Sequence, residues 1–166
     1  MARMKRFWKT VLLTGLFVGM TDITYAFISS YVKSGQFAEK MFEYIAGGAL
    51  GLGRSIGGGV GVEFLGLFFH FFIAFSFTLL FFFVFPRVKM LSYNKYLVGM
   101  LYGVFVNLAM RYLVLPLTPL PSQPFILSRA FIDWVGFGLV FGIPVVWNAY
   151  RYFGAKEEIL DKETKT

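Results

Sequence analysis

The sequence predicts an all-α fold: an integral membrane four-helix bundle with both termini on the cytoplasmic side. Three observations carry this. Of 166 residues, 57% are hydrophobic and 15% charged, with 22 Phe and a mean hydropathy of +0.67; soluble chains are about half apolar and about a quarter charged. Four apolar segments are each long enough to cross a hydrocarbon core of about 30 Å, which takes about 20 helical residues. Lys and Arg gather in the connections on one side of those segments.

The segments are residues 11–32, 60–85, 93–115 and 125–147, within a single membrane domain of residues 1–155. The first follows a basic arm, as in a secretion signal. Its apolar stretch, however, runs past Asp22 to Tyr31 without a small-x-small cleavage site, so an uncleaved first span is expected. The second is the clearest, with no formal charge from Phe64 to Phe85 and ten Phe between Phe68 and Phe85. The arm (Arg3, Lys5, Arg6, Lys9), the second loop (Arg87, Lys89, Lys95) and the tail (Arg151, Lys156, Lys162, Lys165) hold eleven bases. Lys33, Lys40, Arg54 and Arg129 make four on the other side, which places both termini in the cytoplasm. Trp8, Tyr93, Tyr96, Trp147, Tyr150 and Tyr152 fall where interfacial anchors are expected. Residues 156–166 read as a charged cytoplasmic tail, a fraying helix end.

Two outer connections stand out. After Ser34-Gly35, the residues Phe37, Met41 and Ile45 recur at helical spacing opposite Glu39, Lys40 and Glu43, which predicts a short amphipathic interfacial helix. It leads into the Gly-rich segment Gly47–Gly59, either a tightly packed loop or a re-entrant segment lining a cavity. This segment is no phosphate loop, since neither a preceding strand nor a Gly-Lys-Ser/Thr is present. Pro116, Pro119, Pro121 and Pro124 predict a stiff extended lid on the same side.

Each span carries a seam of small and polar residues. Gly15, Gly19 and Asp22 lie on the first, Glu63, Gly66 and His70 on the second, Gly99, Gly103, Asn107 and Arg111 on the third, and Arg129, Asp133 and Gly136 on the fourth. Gly15/Gly19, Gly99/Gly103 and Gly138/Gly142 are small-xxx-small pairs that bring helices close. A charge deep in a span costs about 2.5–3.5 kcal/mol, so such residues face the interior and pair. At about 1.5 Å per residue across a core of about 30 Å, Asp22, His70 and Asn107 converge at about 15 Å depth. Glu63, Arg111 and Asp133 converge at about 20–25 Å by the same measure. A buried polar site in the outer half of the bundle is therefore expected, made of Asp22, Glu63, His70, Asn107, Arg111 and Asp133.

Plainer roles stand beside that reading. Arg111 can be the counter-ion of Asp133 or Glu63, and Arg129 can pair with Asp133 four residues on. His70 can be a hydrogen-bonded core residue rather than half of a Glu63–His70 metal pair, and no metal or other cofactor is expected. Asp22 with His70 can relay protons; flat proton uptake across pH 5–8 in both Asp22→Asn and His70→Ala would end that idea. The absence of Cys excludes disulfides, thiolate metal sites and Cys catalysis. The +7 formal charge sits where topology wants it, so no nucleic acid is expected as a partner.

Six stretches resemble the YagU-like set of small bacterial inner-membrane proteins. They are Gly19-Met20-Thr21-Asp22-Ile23, Ile45–Gly51, Leu67–Ala74, Leu101-Tyr102-Gly103, Val114–Pro121 and Gly142-Ile143-Pro144. The resemblance implies a four-helix inner-membrane fold, with Asp22, His70 and the Pro-rich loop in a shared design, and supplies no activity.

Three functions follow as expectations. The leading one is a small binding or permeation unit in the lipid bilayer, acting as a homo-oligomer, since four helices without an internal repeat are few for a transporter. The second is a non-catalytic accessory subunit bound to other membrane subunits. The third is a membrane-embedded enzyme using Glu63, His70 and Asp133, which no nucleophile-plus-base motif supports, so no catalytic residue is named.

Overall fold

A computed structural model describes residues 2–36, 38–121 and 125–164. Phe37, Pro124 and Lys165, which the sequence reading used, lie outside the described residues. All regular structure among the described residues is helical: α1 (Ala2–Ser34), α2 (Met41–Leu50), α3 (Leu52–Ser55), α4 (Val60–Val84), α5 (Lys95–Ala109), α6 (Leu127–Phe137) and α7 (Ile143–Thr164). A π-helical segment, Met110–Val114, continues α5, and another, Gly138–Gly142, joins α6 to α7. Among the described residues, four helices are long and apolar enough to cross a membrane: Met4–Ser34, Val60–Arg87, Lys95–Leu117 and Leu127–Gly154. Their outward residues, such as Leu12, Phe17, Phe64, Phe68, Leu101 and Phe131, are apolar and exposed, as expected of a helix that is hydrophobic all round.

Local chemistry sets the helix ends. Gly35, at φ +69°, turns the chain out of α1 while its N–H bonds Tyr31 O at 2.8 Å, a left-handed exit that glycine takes without Cβ strain. Asn94 starts α5 by accepting from the N–H groups of Tyr96 and Leu97 at 3.0 and 3.1 Å. Both π-helical segments end two residues before a proline, Pro116 or Pro144. A proline inside a helix lacks its N–H and collides with the carbonyl four residues back, and the wider π turn relieves that collision.

The four long helices pack through glycine. Gly99 and Gly103 of α5 lie against the Gly138–Gly142 segment and the start of α7: a Cβ on Gly142 would sit 1.9 Å from Gly99 O, and one on Gly103 would sit 2.4 Å from Gly138 N. Gly138 faces Met100 and Gly136 faces the Tyr25 ring. Gly15 and Gly19 of α1 admit Phe75 and Phe71 of α4. Thr21 Oγ1 donates to Val140 O at 2.8 Å, a carbonyl to which Pro144, four residues on, has no N–H to give.

Below these contacts, towards the termini, lies a closely packed core. Val11 and Val18 meet Phe81, Phe82, Phe141, Val145, Val146 and Ala149 there, all buried. Phe7, Phe82, Phe85, Tyr152 and Phe153 form a ring cluster joining α1, α4 and α7 at the same end. Lys95 lies 3.8 Å from the Trp147 ring centroid, a cation–π contact.

The distal end, away from the termini, is built differently. The α2–α3 hairpin is tucked against α4: a Cβ on Gly66 would lie 1.9 Å from Phe42 O, and the Phe27 and Phe42 rings are 6.0 Å apart. Gly51 and Gly57, at φ +78° and +80°, make the reversals. Here the amphipathic expectation is corrected, because Glu43 points inward, 6% exposed, and its Oε2 accepts the Gly57 N–H at 3.0 Å. The charge pattern misled because a carboxylate serves this hairpin as an internal acceptor, tying its return strand to α2. Glu43→Ala is therefore expected to loosen the hairpin by about 1–2 kcal/mol, the cost of an unsatisfied amide. Glu43→Gln keeps an acceptor and should not; hydrogen exchange at Gly57–Gly59 separates the two.

The proline-rich connection also differs from the expected extended lid. Leu115–Leu117 is a 3-10 turn with Pro116 at its start, where a fixed φ suits a helical turn. Thr118 Oγ1 donates to Leu115 O at 2.7 Å, and Thr118 and Leu120 then cover Gly47 and Gly48 of the hairpin.

Candidate functional site

Open cavities lined in part by polar side chains lie in the distal half. One, of about 340 Å³, is lined by Asp22 and Lys33 from α1, His70 from α4, Asn107 from α5 and Asp133 from α6, with Ile45 of the hairpin. A second, of about 320 Å³, shares Lys33, Asn107 and Asp133 and adds Arg111, Arg129 and Trp134. All four long helices thus deliver polar side chains to one region, and the hairpin supplies part of its wall.

His70 reaches across to α1, where Nε2–H donates to Gly19 O at 2.8 Å. The carbonyl can only accept, so Nε2 carries the proton in this contact. Asp22 lies one turn beyond Gly19 and lines two cavities together with His70. The close approach that brings these helices together is made by glycine, since a Cβ on Gly19 would meet the Phe71 ring at 2.7 Å.

Asp133 is bridged to Lys33 Nζ at 2.8 Å. The sequence reading offered Arg111 and Arg129 as its partners and counted Lys33 only as a loop charge. The last turn of α1 lies beside α6, close enough for the long lysine stem to span the gap. The two side chains are 42% and 33% exposed, and a pair so open is worth at most about 1 kcal/mol once screened. Lys33→Gln is accordingly expected to lower stability by less than about 1 kcal/mol; a much larger drop in thermal unfolding would mean that this pair holds the bundle together.

Arg111 sits in the π-helical continuation of α5, its guanidinium carbon 5.4 Å from the Phe125 ring centroid and 5.9 Å from that of Tyr112. Trp134 Nε1 is buried and has no hydrogen-bond partner among the described residues.

The structure thus brings together five of the six residues expected in the polar site: Asp22, His70, Asn107, Arg111 and Asp133. They are half-buried rather than sealed. Glu63 does not join them. It is exposed in the first turn of α4 and lines neither cavity. The helical spacing from His70 and Gly66 points to Glu63 only if the contact face continues to the helix end; instead the hairpin occupies that face at Gly66, and Glu63 lies beyond it. Among the described residues no group of three or more His, Asp or Glu side chains has metal-holding geometry.

Lys33, Trp134 and the hairpin wall are the parts that residue spacing missed. Lys33 had a signal in following directly on the outer end of the first span. Trp134 had none beyond adjacency to Asp133. No family model, no curated protein and no solved structure matches the chain.

Proposed function

We propose that this chain is a multi-pass protein of the cytoplasmic membrane, with both termini inside, whose distal cavities bind a small ligand, and that it works as an oligomer. One observation carries the reading: charged and polar side chains from all four long helices line adjoining open cavities of several hundred Å³, the usual size of a ligand site. Charge inside a span is costly and is retained where it lines a water-filled cavity or a pathway. A purely structural polar layer would be dry and paired throughout. The excess of bases near the termini supports the orientation, and oligomerisation follows from size, because four helices are few to enclose a path by themselves.

The absence of cysteine makes the test direct. With Asn107→Cys as the sole thiol, a membrane-impermeant charged thiol reagent added to oriented vesicles should label it from the side opposite the termini. Absence of labelling in vesicles, with full labelling after denaturation, would remove the reading. Native mass measurement in mild detergent tests the oligomer.

A further inference from the structure

We propose that the ligand is a small organic ammonium ion, its charged nitrogen beside Asp22 and its apolar body in the cavity that Phe77, Phe137 and Phe141 line against the packed core. The inference rests on the binding reading above and gives the ligand a chemical class.

Charge decides the head group. Among the described residues, Asp22, Lys33 and Asp133 carry the formal charges that line the cavity of about 340 Å³. Lys33 and Asp133 hold each other at 2.8 Å, which leaves Asp22 as the net charge. No Lys or Arg among the described residues bridges it. The group that acts on its charge is His70, an imidazole that gives its Nε2 proton to Gly19 O. A neutral His70 leaves one negative charge in excess inside a span, where a charge is costly unless a partner answers it. A cation entering from the open cavity supplies that partner.

The apolar body follows from what lies behind the carboxylate. Asp22, Ile45, His70 and Phe137 form a wall common to this cavity and to a smaller one of about 120 Å³. Among the described residues of the smaller lining, Asp22 carries the sole formal charge. Apart from Asp22 and His70 that lining is apolar, and Phe77, Val106 and Phe141 of the buried core close it. An apolar cavity of about 150 Å³ takes a benzene-sized guest and stays dry without one, so this one suits a single ring or a short branched chain. Ring faces also attract a cation, which makes Phe137 a favourable neighbour for the nitrogen at the junction. A divalent metal ion takes about six oxygen ligands, whereas no group of three or more His, Asp or Glu side chains among the described residues is placed to hold one. An inorganic ion would also leave the inner cavity unused, and a neutral ligand would leave Asp22 unanswered.

Equilibrium dialysis of the whole chain in neutral maltoside detergent tests this at about pH 8, where an ordinary imidazole is neutral and an alkylamine charged. Protein-free micelles in a parallel cell give the partitioning to subtract. Three labelled probes are compared: phenethylammonium, phenethyl alcohol and sodium ion. The expected result is saturable binding of the ammonium, one per chain, with neither of the other probes bound. Asp22→Asn should weaken it at least about tenfold, the size of a lost charge-assisted contact. Glu63→Gln, at an exposed carboxylate outside both cavities, should not. Ile45→Phe narrows the shared wall and leaves every charge in place; it should weaken binding too, so the inference stays testable if Asp22→Asn does not fold. Ammonium binding that neither variant alters overturns the inference. Saturable sodium binding that depends on Asp22 overturns the organic body and leaves a cation site. Equal binding of phenethyl alcohol, independent of Asp22, overturns the charged head and leaves the binding reading standing. No saturable binding of any probe, while Asn107→Cys still labels, overturns this inference alone; loss of that labelling overturns the binding reading itself.

Discussion

Gly142→Ala is expected to unfold the bundle or leave it severely weakened, although alanine is the better helix former by about 1 kcal/mol. The new methyl carbon would lie 1.9 Å from Gly99 O and 2.7 Å from Gly103 N, and both are backbone atoms that no rotamer change can move. The α5 and α7 axes would have to separate by an ångström or so. That breaks the contacts that Gly99, Gly103 and Gly138 make along the same line, and overpacking on this scale costs about 3 kcal/mol or more. Thermal unfolding followed by circular dichroism in detergent measures it, with Gly61→Ala as the control because nothing lies within 4 Å of its Cβ position. A Gly142→Ala protein as stable as its parent would show that these helices do not touch backbone to backbone.

Gly66→Ala should act more locally. Its methyl would meet Phe42 O at 1.9 Å, so either α2 moves off α4 or the chain distorts. The hairpin has short helices and three glycines at positive φ between Gly51 and Gly59, and it yields before α4 does. Amide exchange in residues 41–59 should accelerate by about a hundredfold, the equivalent of about 2.7 kcal/mol, with exchange in α5 and α7 unchanged. Ile45 lines the Asp22–His70 cavity, so the displaced hairpin should also raise thiol labelling at Asn107→Cys. Uniform acceleration across the molecule would show instead that the hairpin and bundle unfold as one unit.

Much of the fold was legible because membrane helices advertise their contacts in side-chain size. Gly99/Gly103 and Gly138/Gly142 recur at four-residue steps, and no ordinary side chain fits at the places the structure gives them. Depth arithmetic grouped Asp22, His70 and Asn107 because rise per residue is nearly constant along a helix. The same arithmetic is blind to azimuth near helix ends, and Glu63 was therefore placed inside when it lies outside. Glu43 was misread for a related reason. Polar residues opposite apolar ones are assigned to water outside, yet the distal interior is itself polar. Lys33 could be located along α1, but its pairing depends on where a flexible stem ends. The π-helical segments had a usable sign in Pro116 and Pro144, since each proline forbids the regular bond four residues back.

Those segments also mean that the distal strap is a matter of counting. A π turn amounts to one residue inserted into an α-helix, and one residue corresponds to about 100° of rotation. The wider turn at Met110–Val114 takes up that rotation locally, so the chain beyond it keeps the phase it would have had without the extra residue. Thr118 and Leu120 are thereby delivered over Gly47 and Gly48. The same residue added to a regular stretch of α5 would instead swing them off by that angle, so the molecule keeps its cover in register by storing one surplus residue where a wide turn can absorb it.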